Sequence, residues 1–290
     1  MRRMFCDMRL VLLTALVSLG TASSLEGQLI AARDAAVAYG HHHINATDVE
    51  AHTRFWVGGL GGSSVEVGGS SAEVVSFPNV LVFLAERAPT GGTKGTVVNH
   101  VGFETVDIDR AVARLREAGF PMVTSEELPG PGYVVENEVA QRPGGNRIAF
   151  VMGPDETKVE LIENTAIDQP IRLHHVHWAA ADGEAMRAWY AEHFGAAAGT
   201  RINQPAADLP GVNLTFAPST EALVPTRGRA LDHIGFEVQN LRDFVARLEA
   251  RGITMDRGYT EVASLGIAIA FLTDPWGTYI ELTEGLVAVD

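Results

Sequence analysis

Short runs in which apolar and polar residues alternate recur along this chain, separated by runs at helical spacing. Residues 41–47 read as a strand, and Asp48 as the N-cap of a helix over 49–57 that turns Phe55 and Trp56 to the core. Strand patterns follow at 72–77 and 80–85, after a glycine-rich loop over 58–69. A strand carrying His100 leads into a helix capped by Asp107 and stopped at Gly119, Phe120 and Pro121. Further strand patterns fall at 122–125, 133–137, 147–152 and 158–163. The order then starts again: a strand over 173–180, a helix capped by Asp182 with Trp189 and Tyr190 inward, and a strand over 212–216. A strand opened by His233, its helix, and strands over 267–272 and 279–283 complete the chain. Turn-rich linkers over 89–95, 164–170 and 219–229 separate these groups.

The pattern is an internal repeat. His100-Val101-Gly102-Phe103-Glu104 returns as His233-Ile234-Gly235-Phe236-Glu237, 133 positions later, and Val112-Ala113-Arg114-Leu115 returns as Val245-Ala246-Arg247-Leu248 at the same offset. A shared offset without gaps indicates duplication. A shorter marker, histidine, six residues, then Asp or Asn, occurs four times: His41/Asp48, His100/Asp107, His175/Asp182 and His233/Asn240. The Asp or Asn has a plain task, accepting from the free N–H groups of the following helix. The histidine has no such task, which makes the repeat chemical as well as architectural.

The formal charge of −14 argues against nucleic acid or an anionic membrane surface as partner and leaves a small-molecule substrate, with a homodimer compatible. Arg2, Arg3 and Arg9, an apolar run over 10–19 too short to span a bilayer, and small residues over 20–24 have the layout of a signal peptide, residues 1–24. The expectation is therefore an exported, periplasmic or secreted protein with no membrane association after cleavage. Cys6 is the one cysteine and lies in that leader, so the mature chain has no thiolate nucleophile, disulfide or sulfur ligand. Any metal must be held by His, Asp or Glu.

The four His-x6-[Asp/Asn] units, the turn Asp274-Pro275-Trp276-Gly277 and the strands Val159-Glu160-Leu161 and Ile280-Glu281-Leu282 resemble the vicinal oxygen chelate superfamily. That superfamily includes glyoxalase I, extradiol dioxygenases and the fosfomycin and bleomycin resistance proteins. The resemblance implies an α+β fold of four βαβββ modules, paired into two domains with open cup-shaped mixed sheets, over 38–165 and 171–287. It places metal ligands at His175, His233 and Glu281 in one half and at His41, His100 and Glu160 in the other. Alignment of Pro78 with Pro210 puts the two remaining ligand positions at Leu81 and Asn213, which depart from the glyoxalase pattern. The expected pairing is within each half, and the sequence leaves exchange across halves or chains open.

Two imidazoles and one carboxylate suit Fe(II), Mn(II), Ni(II) or Zn(II), and a cation offsets the cost of burying the acid. His43 and His177, two residues after proposed ligands, face the same way, as do Glu104 and Glu237, four residues after His100 and His233. These four are the acid–base candidates, against packing or salt bridging as the plainer alternatives. His42, His52, His174 and His193 read as structural. The implied activity is a metal-dependent lyase or isomerase of glyoxalase type, or an extradiol-type dioxygenase, on a small oxygenated substrate. The alternative is a non-catalytic binding or resistance protein of the same fold.

Overall fold

The computed structural model describes residues 35–67, 70, 72–142 and 145–286. The expected signal peptide and Cys6 lie outside the described residues. Four modules follow one another. The first is β1 (Val37–Ala46), α1 (Val49–Thr53), β2 (Ser63–Val65), β3 (Glu73–Phe77) and β4 (Val80–Glu86); a π-helical turn, Arg54–Gly59, extends α1. The second is β5 (Val98–Thr105), α2 (Ile108–Glu117), α3 (Thr124–Glu127), β6 (Val134–Glu136), β7 (Val139–Gln141), β8 (Arg147–Met152) and β9 (Lys158–Glu163). The third is β10 (Ile171–Ala180), α4 (Gly183–Phe194), β11 (Ala197–Arg201), β12 (Gln204–Leu209) and β13 (Val212–Pro218). The fourth is β14 (Leu231–Val238), α5 (Leu241–Ala250), β15 (Met255–Val262), β16 (Ile267–Thr273) and β17 (Tyr279–Glu284).

Asp48, Asp107 and Asp182 cap their helices as expected, each accepting from the backbone N–H three residues on. Asn240 does not. It sits at φ 52° without a side-chain cap, and Glu284 accepts from Leu241 N–H instead, at 3.1 Å. The strand expected over 122–125 is also replaced: Met122 makes an isolated bridge to Val151, and the chain turns into α3. Strands β11, β12 and β15 escape the sequence reading because glycine, alanine and charged residues blur their alternation.

The modules do not pair within each half. One sheet runs β15-β16-β17-β14-β1-β4-β3-β2, joining the fourth module to the first; the other runs β11-β12-β13-β10-β5-β9-β8-β7-β6, joining the third to the second. Each seam is antiparallel: β1 on β14, and β10 on β5. The segments 38–165 and 171–287, expected to pair their two modules within each half, instead pair across halves, so each cup draws on both. Alternation along the seam strands sends one face to the cup and the other to the core. Phe103 and Phe236 face inward, against Phe77 and Trp56 from the first module and Phe194 from α4. A bulge between Tyr39 and His41 turns both Tyr39 and His42 to that core, where the Tyr39 hydroxyl lies 2.7 Å from His42 Nδ1. One continuous apolar core therefore unites the backs of both sheets.

Candidate metal centres

Each seam brings a histidine of one strand across from a glycine of the other. His41 is opposite Gly235, and His175 is opposite Gly102. The imidazoles lie over these glycines so closely that an added Cβ would come 2.0 Å from His41 Cε1 and 1.9 Å from His175 Cε1. The same glycines pair on their other side with Glu281 and Glu160. Glycine in the repeated motif is thus the cradle in which a partner module's histidine meets the motif's own histidine and acid.

In the first cup, Glu281 Oε2 lies 2.9 Å from His41 Nε2 and 3.0 Å from His233 Nε2. In the second, Glu160 Oε2 lies 3.1 Å from His100 Nε2 and 3.1 Å from His175 Nε2. His177 stacks on His100 at 4.4 Å and completes a group of four. The ligand-capable atoms of each group lie within 4.8 Å of one another. The expected trios are therefore redistributed. His175 joins His100 and Glu160, not His233 and Glu281; His41 joins the latter pair.

The remaining ligand positions also shift. Glu160 and Glu281 pair with Gly102 and Gly235, five residues before Asp107 and Asn240. The residues five before Asp48 and Asp182 are His43 and His177, which pair with Phe83 and Thr215. Phe83 and Thr215, rather than Leu81 and Asn213, thus stand where the other two modules carry an acid. Leu81 packs with Val67, Val74 and Leu286. Phe83 walls the first cup, 5.3 Å from His41 and stacked at 6.1 Å on His43.

His233 Nδ1 faces Asp232 at 2.8 Å, and His100 Nδ1 faces Asn99 at 2.9 Å. Asn99 Oδ1 and the Asp232 carboxylate each accept from Nδ1–H, which in a neutral ring would leave Nε2 free to bind a metal. Burial alone would lower the His233 pKa, but Asp232 and Glu281 outweigh it and raise it. Burial would likewise raise Asp232, yet hydrogen bonds from His233 and Gly228 hold it down to about 2. In the second cup burial dominates, and His100, His175 and His177 are all lowered. Glu160 is held well below its usual range by the two histidines, against its burial.

These donors fit a divalent cation. Glu160 is buried and Glu281 half-buried, two imidazoles converge on one oxygen of each carboxylate, and His175 Nε2, His177 Nδ1 and His41 Nδ1 are buried without a hydrogen bond. Buried polar atoms in such numbers call for a partner, and the N/O donor set suits a borderline metal.

Glu104 and Glu237 are not free bases. Glu104 accepts from Asn164 and Arg172, and Glu237 from Thr283 Oγ and Gly285 N–H, so both oxygens of each are engaged. His43 does line its cup, stacked at 4.4 Å on His233, and burial with the neighbouring histidines lowers it to about 3. Tyr279, missed in the sequence, lies two residues before Glu281 on the same face, 5.5 Å from His233. Asp232 and Asn99 were also passed over, although an Asx immediately before each repeated histidine was a usable signal. His42 and His52 are buried in structural contacts.

The architecture has relatives among solved structures. Glyoxalase I from Zea mays aligns over 87% of this chain and 94% of its own with a TM-score of 0.66 at 15% identity. A putative dioxygenase from Bacillus subtilis aligns over 85% and 84%, with a TM-score of 0.55 at 11% identity. No curated protein is detectably similar in sequence. The family model for the Glyoxalase/Bleomycin resistance protein/Dioxygenase superfamily matches residues 38–161 and 172–282, most of the chain, and the protein belongs to that superfamily.

Proposed function

We propose that the protein is a metal-dependent enzyme whose first cup, built on His41, His233 and Glu281, carries an extradiol-type oxygenation of a small substrate with two neighbouring oxygens. One observation carries this reading. Three ligand-capable groups converge there while Phe83 closes the fourth position, and His43 and Tyr279 line the same wall. A divalent cation bound there supplies a Lewis-acid centre for the two substrate oxygens. His43, kept neutral by burial and the neighbouring histidines, accepts a hydrogen bond from a substrate hydroxyl, and the Tyr279 hydroxyl, raised above its usual pKa by burial, stays protonated and donates one. Phe83 and Phe271 supply apolar walls around the histidines.

Oxygen uptake with a catechol under Fe(II) tests the proposal. Uptake is expected in the wild type, with at least a hundredfold loss in His233→Ala and in His43→Ala. A ligand bound as tightly by His233→Ala as by the wild type, with no turnover in either, supports a binding protein instead. A glyoxalase-type isomerisation at the second cup is the other reading, favoured by its fourth group, His177. Export belongs to the same proposal, and the N-terminal sequence of protein recovered from its native source tests it: a start near residue 25 is expected.

A further inference from the structure

The two cups share a plan but not a charge. The first collects acids, with Asp232 beside His233 and Glu281 between the histidines. In the second, the uncharged Asn99 replaces Asp232, and two guanidinium groups reach the same centre from opposite edges of its sheet. Arg142, just beyond β7, points Nη2 at Glu160 Oε1 from 3.4 Å, while its Nε is buried with no hydrogen-bond partner. Arg201, at the end of β11, reaches across β12 and sets Nη1 3.3 Å from Thr215 Oγ. Thr215 occupies the register at which Glu160 stands in the other module of that sheet. A cation therefore sits beside the position where a second acid would be. Among the described residues Arg201 pairs with no carboxylate. The other nearby cations are spent elsewhere: Arg172 on Glu104, and Lys158 on Glu127 at 2.6 Å.

A mostly buried guanidinium without a counter-charge is expensive to keep. Burial already lowers the Arg201 pKa, with Glu160 opposing and Arg142 adding to the effect. Glu160 balances one of the two arginines and leaves a surplus positive charge, which a divalent cation on the four-group centre enlarges. We infer that the second cup, over His100, Glu160, His175 and His177, binds a small carboxylate bearing a vicinal oxygen, with Arg142 and Arg201 gripping the anion. Planar forked donors suit a carboxylate, and a vicinal oxygen reaches the histidines beneath. Among the described residues no such pair is recorded at the first cup, where Arg227 lies over the Tyr279 ring at 4.4 Å. The cups are thus specialised for differently charged ligands. This inference goes beyond the oxygenase reading, which concerns the other cup.

Calorimetric titration of the full chain with pyruvate, and with hydroxyacetone as its uncharged counterpart, tests it, with metal content measured in each sample. Pyruvate is expected to bind at one site per chain, at least tenfold tighter than hydroxyacetone. Arg201→Gln and the partly exposed Arg142→Gln should each weaken pyruvate at least tenfold, and Arg110→Gln, exposed on α2 away from both cups, should leave it unchanged. Equal affinity for the two compounds, or pyruvate binding that survives both arginine substitutions, overturns the inference. Arginine-dependent pyruvate binding by a protein that retains no metal supports it and removes the oxygenase reading.

Discussion

Gly102 and Gly235 are conventional in φ and unconventional in what lies above them. Each leaves room for an imidazole from the adjoining strand, so alanine at either position would collide with a ring, not with a flexible tail. Overpacking of this kind typically costs about 1–3 kcal/mol. Gly235→Ala is expected to destabilise by about 2 kcal/mol and to displace His41, removing one equivalent of bound metal and leaving the other. Metal analysis alongside urea unfolding checks both halves of that statement, and Gly102→Ala should do the reverse. Much of this was legible at the residue scale. The repeated His-x-Gly-Phe-Glu motif marked the histidine, and the resemblance to the superfamily supplied Glu160 and Glu281 as its acids, while the glycine's role went unread. The cradle's occupant was not legible, because it comes from a different module. Arg142 and Arg201 were invisible for a similar reason: nothing in a lone arginine on a weakly patterned segment tells which sheet face it crosses.

Helices and turns obeyed local rules where local chemistry sufficed. Asp107 accepts from Arg110 N–H at 2.9 Å, and Asp107→Ala should cost about 1 kcal/mol in urea unfolding. Asn240 occupies the same repeat position but in the left-handed region, so Asn240→Gly should change stability by only a few tenths of a kcal/mol. Sequence could not separate the two cases, since both are good capping residues. The turn before β9 carries a tertiary device. Asp155 accepts from Thr47 N–H at 2.8 Å and Thr47 Oγ at 2.7 Å, and meets His52 Nε2 at 3.1 Å, tying the second module to the first. Burial lowers the His52 pKa, with Asp155 opposing; burial would raise Asp155, but Thr47 and His52 hold it below its usual value. Both groups are depressed on folding, so the unfolded chain binds more protons on the acid side. Their contribution is complete above the usual histidine pKa of 6.5 and falls as pH drops below it, first through His52 and then, below the usual carboxylate value of 3.8, through Asp155. Urea midpoints between pH 7 and pH 5 should therefore fall more steeply in the wild type than in His52→Gln.

Four like modules admit more than one assembly, and the local pattern satisfies several of them. Five residues before Asp48, Asp182, Asp107 and Asn240, modules one and three carry His43 and His177 where modules two and four carry the cradle glycines Gly102 and Gly235. Any pairing of a histidine module with a glycine module meets the steric requirement, whether within a half or across halves. The choice is made by long-range packing. Asn79, in the turn after β3, accepts from Leu173 N–H at 3.2 Å and donates to Gly211 O at 2.6 Å. Tyr190 of α4 donates to Asp274 at 2.9 Å, and Trp178 of β10 donates to Thr278 at 2.9 Å, tying the third module to the fourth behind the cups. Such contacts between distant positions have no periodicity to betray them. They carry a consequence for folding. Residues 35–168 contain His41 without His233 and Glu281, and His100 and Glu160 without His175, so neither centre is complete in that fragment. Residues 169–286 are deficient in the complementary way. Each fragment alone is expected to retain less than a tenth of the metal of the intact chain at equal free metal, whereas an equimolar mixture should recover most of it as a heterodimer by sedimentation. Full metal retention by either fragment alone would mean that modules pair within a half in solution, and that both centres are built differently from the ones described.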